Sequence, residues 1–225
     1  GLEHQRSFIN EVKRLTNLSI ATSGRAQDGR VAMDFLGVDL RVSLLPSLYG
    51  EKIVMRVLDL KRSFHLADLG FDDGTAAALD EALRAKNGVI LISGPTGSGK
   101  TTTLYSLLMA LCPKTKNIIT LEDPIEYRLP GITQVRITPK LCFADALRSV
   151  LRQDPDVILV GEIRDEETAD LCFKAASTGH LVLSTIHANS AREVCERLSN
   201  LKVEEFLLRS NLRLSAAQRL VKRLC

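Results

Sequence analysis

Residues Gly94-Pro95-Thr96-Gly97-Ser98-Gly99-Lys100-Thr101 spell Gly-x-x-x-x-Gly-Lys-Thr, between an apolar run, Val89 to Ile92, and a segment of helical character beginning at Thr102-Thr103-Leu104. Glycines in such a loop let backbone N–H groups curl around phosphate oxygens, and the helix that follows adds the positive end of its dipole. Lys100 is placed to reach the β- and γ-phosphates of a nucleotide and the Thr101 hydroxyl to ligate Mg²⁺. ATP contacts are therefore expected at Gly94, Pro95, Thr96, Gly97, Ser98, Gly99, Lys100, Thr101 and Thr102, with ATP and Mg²⁺ as the bound species.

The elements that must position this loop follow from periodicity. Around it run a helix from Thr75 to Lys86, the strand Val89 to Ile92, a helix to about Leu111 and an apolar strand at Asn117 to Leu121. A short strand near Gln134 to Ile137, a helix at Phe143 to Arg152, a strand Val157 to Val160, a helix Glu166 to Ser177 and a strand Leu181 to Ile186 come next. Helices at Ala191 to Leu198, Val203 to Leu208 and Leu214 to Leu224 complete the pattern. Strands alternating with helices predict a mainly parallel sheet covered on both faces.

In such a sheet every strand delivers its C-terminal residues to one edge, where ligands bind. Glu122 and Asp123, Glu162, and His187 follow three of the predicted strands and so join the loop at that edge. Asp156 flanks the same strand as Glu162, but six residues at about 3.3 Å each put it about 20 Å away, so Glu162 is the magnesium candidate beside Thr101. The same spacing makes His180 structural and His187 the candidate γ-phosphate or water contact. Glu122 is the candidate for orienting or deprotonating the attacking water. Asp123 precedes Pro124 and reads equally as a turn-former, and Arg164-Asp165 as the start of a helix with an N-cap, Arg164 being structural or inter-subunit.

Upstream, Phe8, Val12, Leu15 and Leu18 fall at helical spacing over His4 to Leu18. The period then changes to two in Val31, Met33 and Phe35, in Asp39 to Leu44 and in Lys52 to Val57, which predicts a helix on a small, mostly antiparallel sheet. The ATPase half offers no arginine suited to neutralising transition-state charge. The small sheet has Arg41 and Arg56, each of which, taken singly, reads as a surface arginine.

The 30 basic and 27 acidic residues leave a formal charge of +3, too small to point to nucleic acid or membrane by itself. No apolar run is long enough to cross a bilayer and no signal-peptide pattern is present, so any membrane link is expected through a partner. The cysteines at 112, 142, 172, 195 and 225 are far apart, and read as reduced cytosolic thiols, mostly buried. A chain that stops on Cys225 just after an amphipathic stretch reads as a fragment.

Gly94 to Tyr105, Thr120-Leu-Glu-Asp-Pro-Ile-Glu-Tyr127, Leu151 to Asp165 and Thr178 to Asn189 resemble the Walker A, Asp box, Walker B and His box of the type II secretion and type IV pilus assembly ATPases. The likeness extends through Gln27-Asp-Gly-Arg30, Arg41-Val-Ser-Leu-Leu-Pro46 and Gly50 to Arg56, covering nearly the whole chain. It implies an α/β, RecA-like P-loop NTPase domain, residues 63–225 and truncated at its C-terminus, preceded by a small α+β PAS-like domain, residues 1–62. It further implies homo-hexameric rings with ATP between the two domains, phosphate-sensing fingers at Arg41 and Arg56, and a cytoplasmic motor acting on pseudopilus or pilus assembly through inner-membrane platform proteins. Ala188 departs from the family's usual Thr, and the further N-terminal domains and tetracysteine module usual in assembly members are not in this sequence. Two other readings are a pilus retraction ATPase and a RecA-like nucleic-acid translocase, the latter disfavoured by the lack of tryptophan and the balanced charge. Arg209, Arg213, Arg219, Lys222 and Arg223 would be its footprint, or else a solvated helix face. A third is a nucleotide-binding fragment that turns over only when a ring completes its site.

Overall fold

The computed structural model describes residues 2–22, 24–33, 35–59, 63–111 and 114–222. The chain divides into two compact units, Gly1–Ser63 and Phe64–Cys225. Leu60, Cys112, Arg223, Leu224 and Cys225 lie outside the described residues.

In the first unit, helix α1 (Leu2–Leu15) is followed by strands β1 (Gln27–Met33), β2 (Val38–Ser47) and β3 (Gly50–Asp59), an antiparallel sheet in the order β1-β2-β3. Ile9 and Val12 of α1 pack on Val42 and Leu44 of β2. The helix stops three residues short of the expected Leu18: Asn17 takes the left-handed φ of 55° and the Leu18 N–H returns to Lys13 O at 2.8 Å, a stop that asparagine tolerates. Leu18 still packs on the small core. The first strand also ends early, at Met33, and Phe35 is exposed in the turn that follows. Lys13 is buried, with its ammonium 2.8 Å from both Glu51 carboxylate oxygens and 3.2 Å from Thr22 O.

The register of the small sheet places Arg30 opposite Arg41 and Arg41 opposite Arg56. Opposed residues share a sheet face and neighbours along a strand alternate, so the three arginines form a row on the face away from Val42, Leu44 and α1. Arg30 is paired to buried Asp39 at 2.7 Å.

The second unit opens with a 3₁₀ turn (Leu66–Leu69) and α2 (Asp73–Arg84), then β4 (Gly88–Ser93), α3 (Lys100–Ala110), β5 (Ile118–Glu122), β6 (Thr133–Arg136), α4 (Phe143–Val150), β7 (Val157–Val160), α5 (Glu166–Ser177), β8 (Leu181–Ile186), α6 (Ala191–Asn200), α7 (Glu205–Asn211) and β9 (Leu212–Ala217). All paired strands run parallel, in the order β6-β5-β7-β8-β4-β9. Every residue of β4, β7 and β8 is buried, as expected of strands covered on both faces. Val89, Leu91, Ile158 and Val182 pack toward α4, α5, α6 and α7. Ile90, Ile92, Leu159 and Leu183 pack toward α2 and α3.

The expected helix Leu214 to Leu224 is corrected by β9. Leu212, Leu214 and Ala216 alternate with Arg213, Ser215 and Ala217, a pattern equally compatible with a strand, and hydrogen bonding to β4 decides the outcome. Residues 218–222 continue without regular structure. Among the described cysteines only Cys172 is buried; Cys142 and Cys195 are exposed, so thiol burial was over-read from the sequence.

Candidate nucleotide site

The phosphate loop leaves β4 at Ser93 and turns into α3 at Lys100. Gly94 has φ 145° and Gly99 φ 88°. A Cβ on Gly94 would stand 2.5 Å from Gln218 O and 2.7 Å from Ser98 Oγ, and one on Gly99 would stand 2.8 Å from Gln218 Nε2. Glycine is therefore needed at both positions for space as well as for backbone angle. Lys100 donates to Gly94 O at 2.8 Å and Pro95 O at 2.9 Å, so its ammonium sits within the loop's own curve. Burial pulls its pKa below the ordinary lysine value, the Glu162 carboxylate opposes the shift, and the Arg219 guanidinium adds to it. Ser98 Oγ is buried without a hydrogen-bond partner. Thr101 is exposed.

Glu162 follows β7 and is held from both sides of its strand. Gly161 N–H donates to Leu121 O at 2.8 Å, Thr185 Oγ1 to Gly161 O at 2.8 Å, and Ile163 N–H to Thr185 O at 2.9 Å. The Glu162 side chain is 14% exposed, ion-paired with Arg164, and 3.7 Å from His187 Nε2. Lys100, Glu162 and His187 are thus in one electrostatic neighbourhood at the strand-end edge. Arg164 was read from the sequence as structural or inter-subunit; within this chain its guanidinium lies on Glu162, and the Asp123 charge is also felt there. Asp165 accepts the Thr168 N–H at 2.8 Å as the N-cap of α5.

Glu122 ends β5 and turns toward α3 rather than toward open solvent. It is 4% exposed and its carboxylate accepts from the Tyr105 hydroxyl, from Thr120 Oγ1 at 2.5 Å and from Gln134 Nε2 at 3.0 Å. Burial, and then the Glu122 charge, push the Tyr105 phenol well above its ordinary pKa. Tyr105 also meets Phe64 edge-on, with ring centroids 5.3 Å apart. Asp156 accepts the Asn117 N–H at 2.7 Å at the other edge of the sheet, and His180 Nδ1 lies 2.9 Å from Ala175 O. Arg41 and Arg56 belong to the first unit.

Two residues of this site, Gln218 and Arg219, are expected from the sequence on a helix face, Arg219 as a solvated or nucleic-acid-facing charge, and stand instead beside the phosphate loop. Gln218 N–H donates to Ser93 O at 2.8 Å, its Nε2 donates to Ser98 O at 2.9 Å, and its Oε1 accepts from Thr103 Oγ1 at 2.7 Å. Arg219 follows, donating to Asn189 O at 2.9 Å. The strand-end rule that found Glu162 and His187 would have found these two, had the segment before them been read as a strand.

Mg²⁺ is commonly bound by one or two side-chain oxygens together with substrate phosphates and water. The exposed Thr101 hydroxyl and the Glu162 carboxylate fit that donor set, and among the described residues no cluster of three or more acidic, His or Cys side chains forms a separate metal cage. No described helix is long and apolar enough to cross a membrane.

The profile of the family described as Type II/IV secretion system protein matches residues 2–225. The chain is 48% identical over 224 residues to the type II secretion system protein HxcR of Pseudomonas aeruginosa, covering 97% of this chain and 48% of that protein. It is 48% identical over 227 residues to the type IV pilus assembly ATPase PilB of Myxococcus xanthus, covering 98% and 40%. Among solved structures, the pilus retraction motor PilT with bound ADP superposes with a TM-score of 0.71 at 35% identity, over 84% of this chain and 57% of that one. The chain spans less than half the length of both sequence relatives.

Proposed function

The chain belongs to the Type II/IV secretion system protein family, and we propose that it is the nucleotide-hydrolysing part of a cytoplasmic motor ATPase that drives pseudopilus or pilus assembly and protein secretion. The carrying observation is the convergence of Lys100, Glu162 and His187 at the end of a parallel sheet, on a loop shaped for phosphate. Residues 1–62 are the arginine-bearing, PAS-like domain and residues 63–225 the RecA-like domain in this reading.

Hydrolysis forms a bond from water oxygen to the γ-phosphorus and breaks the bond to the bridging oxygen, giving ADP and phosphate. In phosphoryl transfer the protein's contribution is mainly position and charge. Gly94 to Thr102 hold the phosphates through backbone N–H groups, and Lys100 neutralises the β- and γ-oxygens. Thr101 and Glu162 would hold Mg²⁺, which supplies charge neutralisation on the phosphates. His187 contacts the γ-phosphate or the water. Glu122 orients the water, its carboxylate having capacity for a fourth donor beside the three it already accepts.

Arg41 and Arg56 stand opposite each other on one face of the small sheet, which supports a shared role for the two as fingers; Arg30 beside them is already paired to Asp39. Those fingers act across domains or subunits of a homo-hexamer, and the motor works at the inner membrane through platform proteins. The 48% identity to HxcR and PilB, against 35% to the retraction motor PilT, favours assembly over retraction.

The test is nucleotide binding followed with a fluorescent ATP analogue, with and without Mg²⁺, in the unmodified chain and in Lys100→Ala. Losing the charge-assisted contacts of the ammonium, worth about 1.5–3 kcal/mol, weakens binding by about ten- to a hundredfold. Equal binding in the variant overturns the site assignment.

A further inference from the structure

We propose that Gln218 and Arg219 form a clasp that ties the phosphate loop to the His187 loop, Gln218 setting the shape of the first and Arg219 the position of the second. The inference rests on the nucleotide site proposed above and adds to it two positioning residues.

In the sheet, β8 and β9 flank β4 on opposite sides. Arg219 follows β9, yet it bonds to Asn189, two residues past His187 on the loop that follows β8. Its side chain therefore spans the end of β4, where the phosphate loop begins. Its Nη1 lies 3.3 Å from the point a Gly94 Cβ would occupy, and its charge is felt at Lys100. The guanidinium fork makes this crossing possible, because Nη1 donates back to Gln218 O at 2.9 Å while Nη2 donates forward to Asn189 O at 2.9 Å. Asn189 is pinned from its other side by its N–H to Glu193 Oε2 at 2.9 Å, so a shift of Arg219 is carried to a short, tethered loop.

Gln218 works on a different part of the site. Its backbone N–H is fixed on Ser93 O, and its side-chain amide bridges Ser98 O, inside the phosphate loop, and Thr103 Oγ1, in the first turn of α3. The amide thus sets the separation of the loop from its helix, on which the convergence of N–H groups depends. The two neighbours divide the work: one governs where phosphate sits, the other where His187 sits.

This division separates the clasp from general structural support. Hydrogen exchange followed by mass spectrometry on the folded chain should show Arg219→Ala raising exchange at residues 187–190 by about tenfold, with residues 94–101 within about twofold of the unmodified chain. Gln218→Ala should show the reverse. The size follows for Arg219 from loss of one charged hydrogen bond to Asn189 and for Gln218 from loss of two neutral ones, to Ser98 and Thr103. Equal effects on both loops, or none on either, overturn the clasp. In turnover, Arg219→Ala should lower kcat about tenfold, Arg219→Lys should recover part of it, and Arg219→Ala should add nothing to the kcat loss in a His187→Ala background. Additive losses overturn the assignment of Arg219 to His187. Failure of the unmodified chain to bind ATP would instead count against the nucleotide site itself, since the exchange pattern does not depend on nucleotide.

Discussion

His187 Nε2 stands 3.7 Å from Glu162 Oε2, joining the loops that follow two neighbouring strands of one sheet. The imidazole and carboxylate reach each other because β7 and β8 are parallel neighbours in which Val160 stands opposite Ser184, so that Glu162 and His187 come to nearly the same level beyond them. Removing the carboxylate's charge should leave the phosphate loop intact and disable the chemistry. Glu162→Gln is therefore expected to bind ATP within a few-fold of the unmodified chain and to lose about a hundredfold or more in turnover. Phosphate release measured beside ATP binding checks it; normal release would remove Glu162 from the reaction.

Lys100 carries a pH signature. Burial holds its pKa below the usual lysine value in the nucleotide-free chain, and a triphosphate on the ammonium pushes it back up. Between the two values binding takes up a proton, and affinity falls as pH rises through that window. Calorimetry in buffers of different ionisation enthalpy, carried through the alkaline range up to the ordinary lysine value, should detect a proton uptake that Lys100→Ala lacks. For stability the sign is opposite: in the window between the lowered folded value and the ordinary unfolded one, the unfolded chain holds more protons, so this group's contribution to stability rises with pH.

Tyr105 and Glu122 tie the helix of the phosphate loop to the end of β5. Tyr105→Phe deletes one of three donors to a buried carboxylate, and should cost about 1–3 kcal/mol in urea unfolding. Glu122→Gln leaves the side-chain shape but presents an NH₂ where donors converge, so it should show a similar stability loss together with slowed turnover and retained nucleotide. A variant that is destabilised yet hydrolyses ATP normally would make Glu122 a structural residue alone.

The arginine row calls for an assay of mixed subunits. If Arg41 and Arg56 serve the nucleotide of a neighbour, subunits carrying Arg41→Ala or Arg56→Ala should regain activity when mixed with subunits carrying Lys100→Ala. The rebuilt sites restore up to about a quarter of full turnover, since an arginine variant and a lysine variant must meet in one order. No recovery at any mixing ratio would place the fingers in cis or remove them.

The phosphate site was largely legible because its chemistry is written locally. Gly94 to Thr101 form a contiguous motif, Glu162 comes just after the apolar run Val157–Val160 and His187 just after the β-rich segment Leu181–Ile186, so counting residues from a strand end placed both at one edge. What escaped depended on pairing over distance. The segment Leu212–Ala217 is short and mixes small and polar residues, and only its bonds to β4 make it a strand, so Gln218 and Arg219 were assigned to a helix face. Glu122 was found but its direction was not, because the choice between solvent and Tyr105 depends on how α3 packs over the sheet. Arg30 was passed over for the same reason: its place in a row with Arg41 and Arg56 is a property of strand register. Asp165, by contrast, was readable as a helix cap from its neighbours alone.

The order of strands also has a temporal meaning. β4 and its loop are made first, and the strand on their outer side and the glutamine that braces the loop come more than a hundred residues later, as the contact of Gln218 with Thr103 across 115 positions records. During synthesis at about 5–20 residues per second, the phosphate loop would spend several seconds outside the ribosome with one flank open and its brace missing. Nucleotide present in that interval meets an unfinished site, so competence to bind should emerge late on the nascent chain, after β9 docks. The motif that is easiest to recognise in the sequence is thus completed only by residues more than a hundred positions downstream.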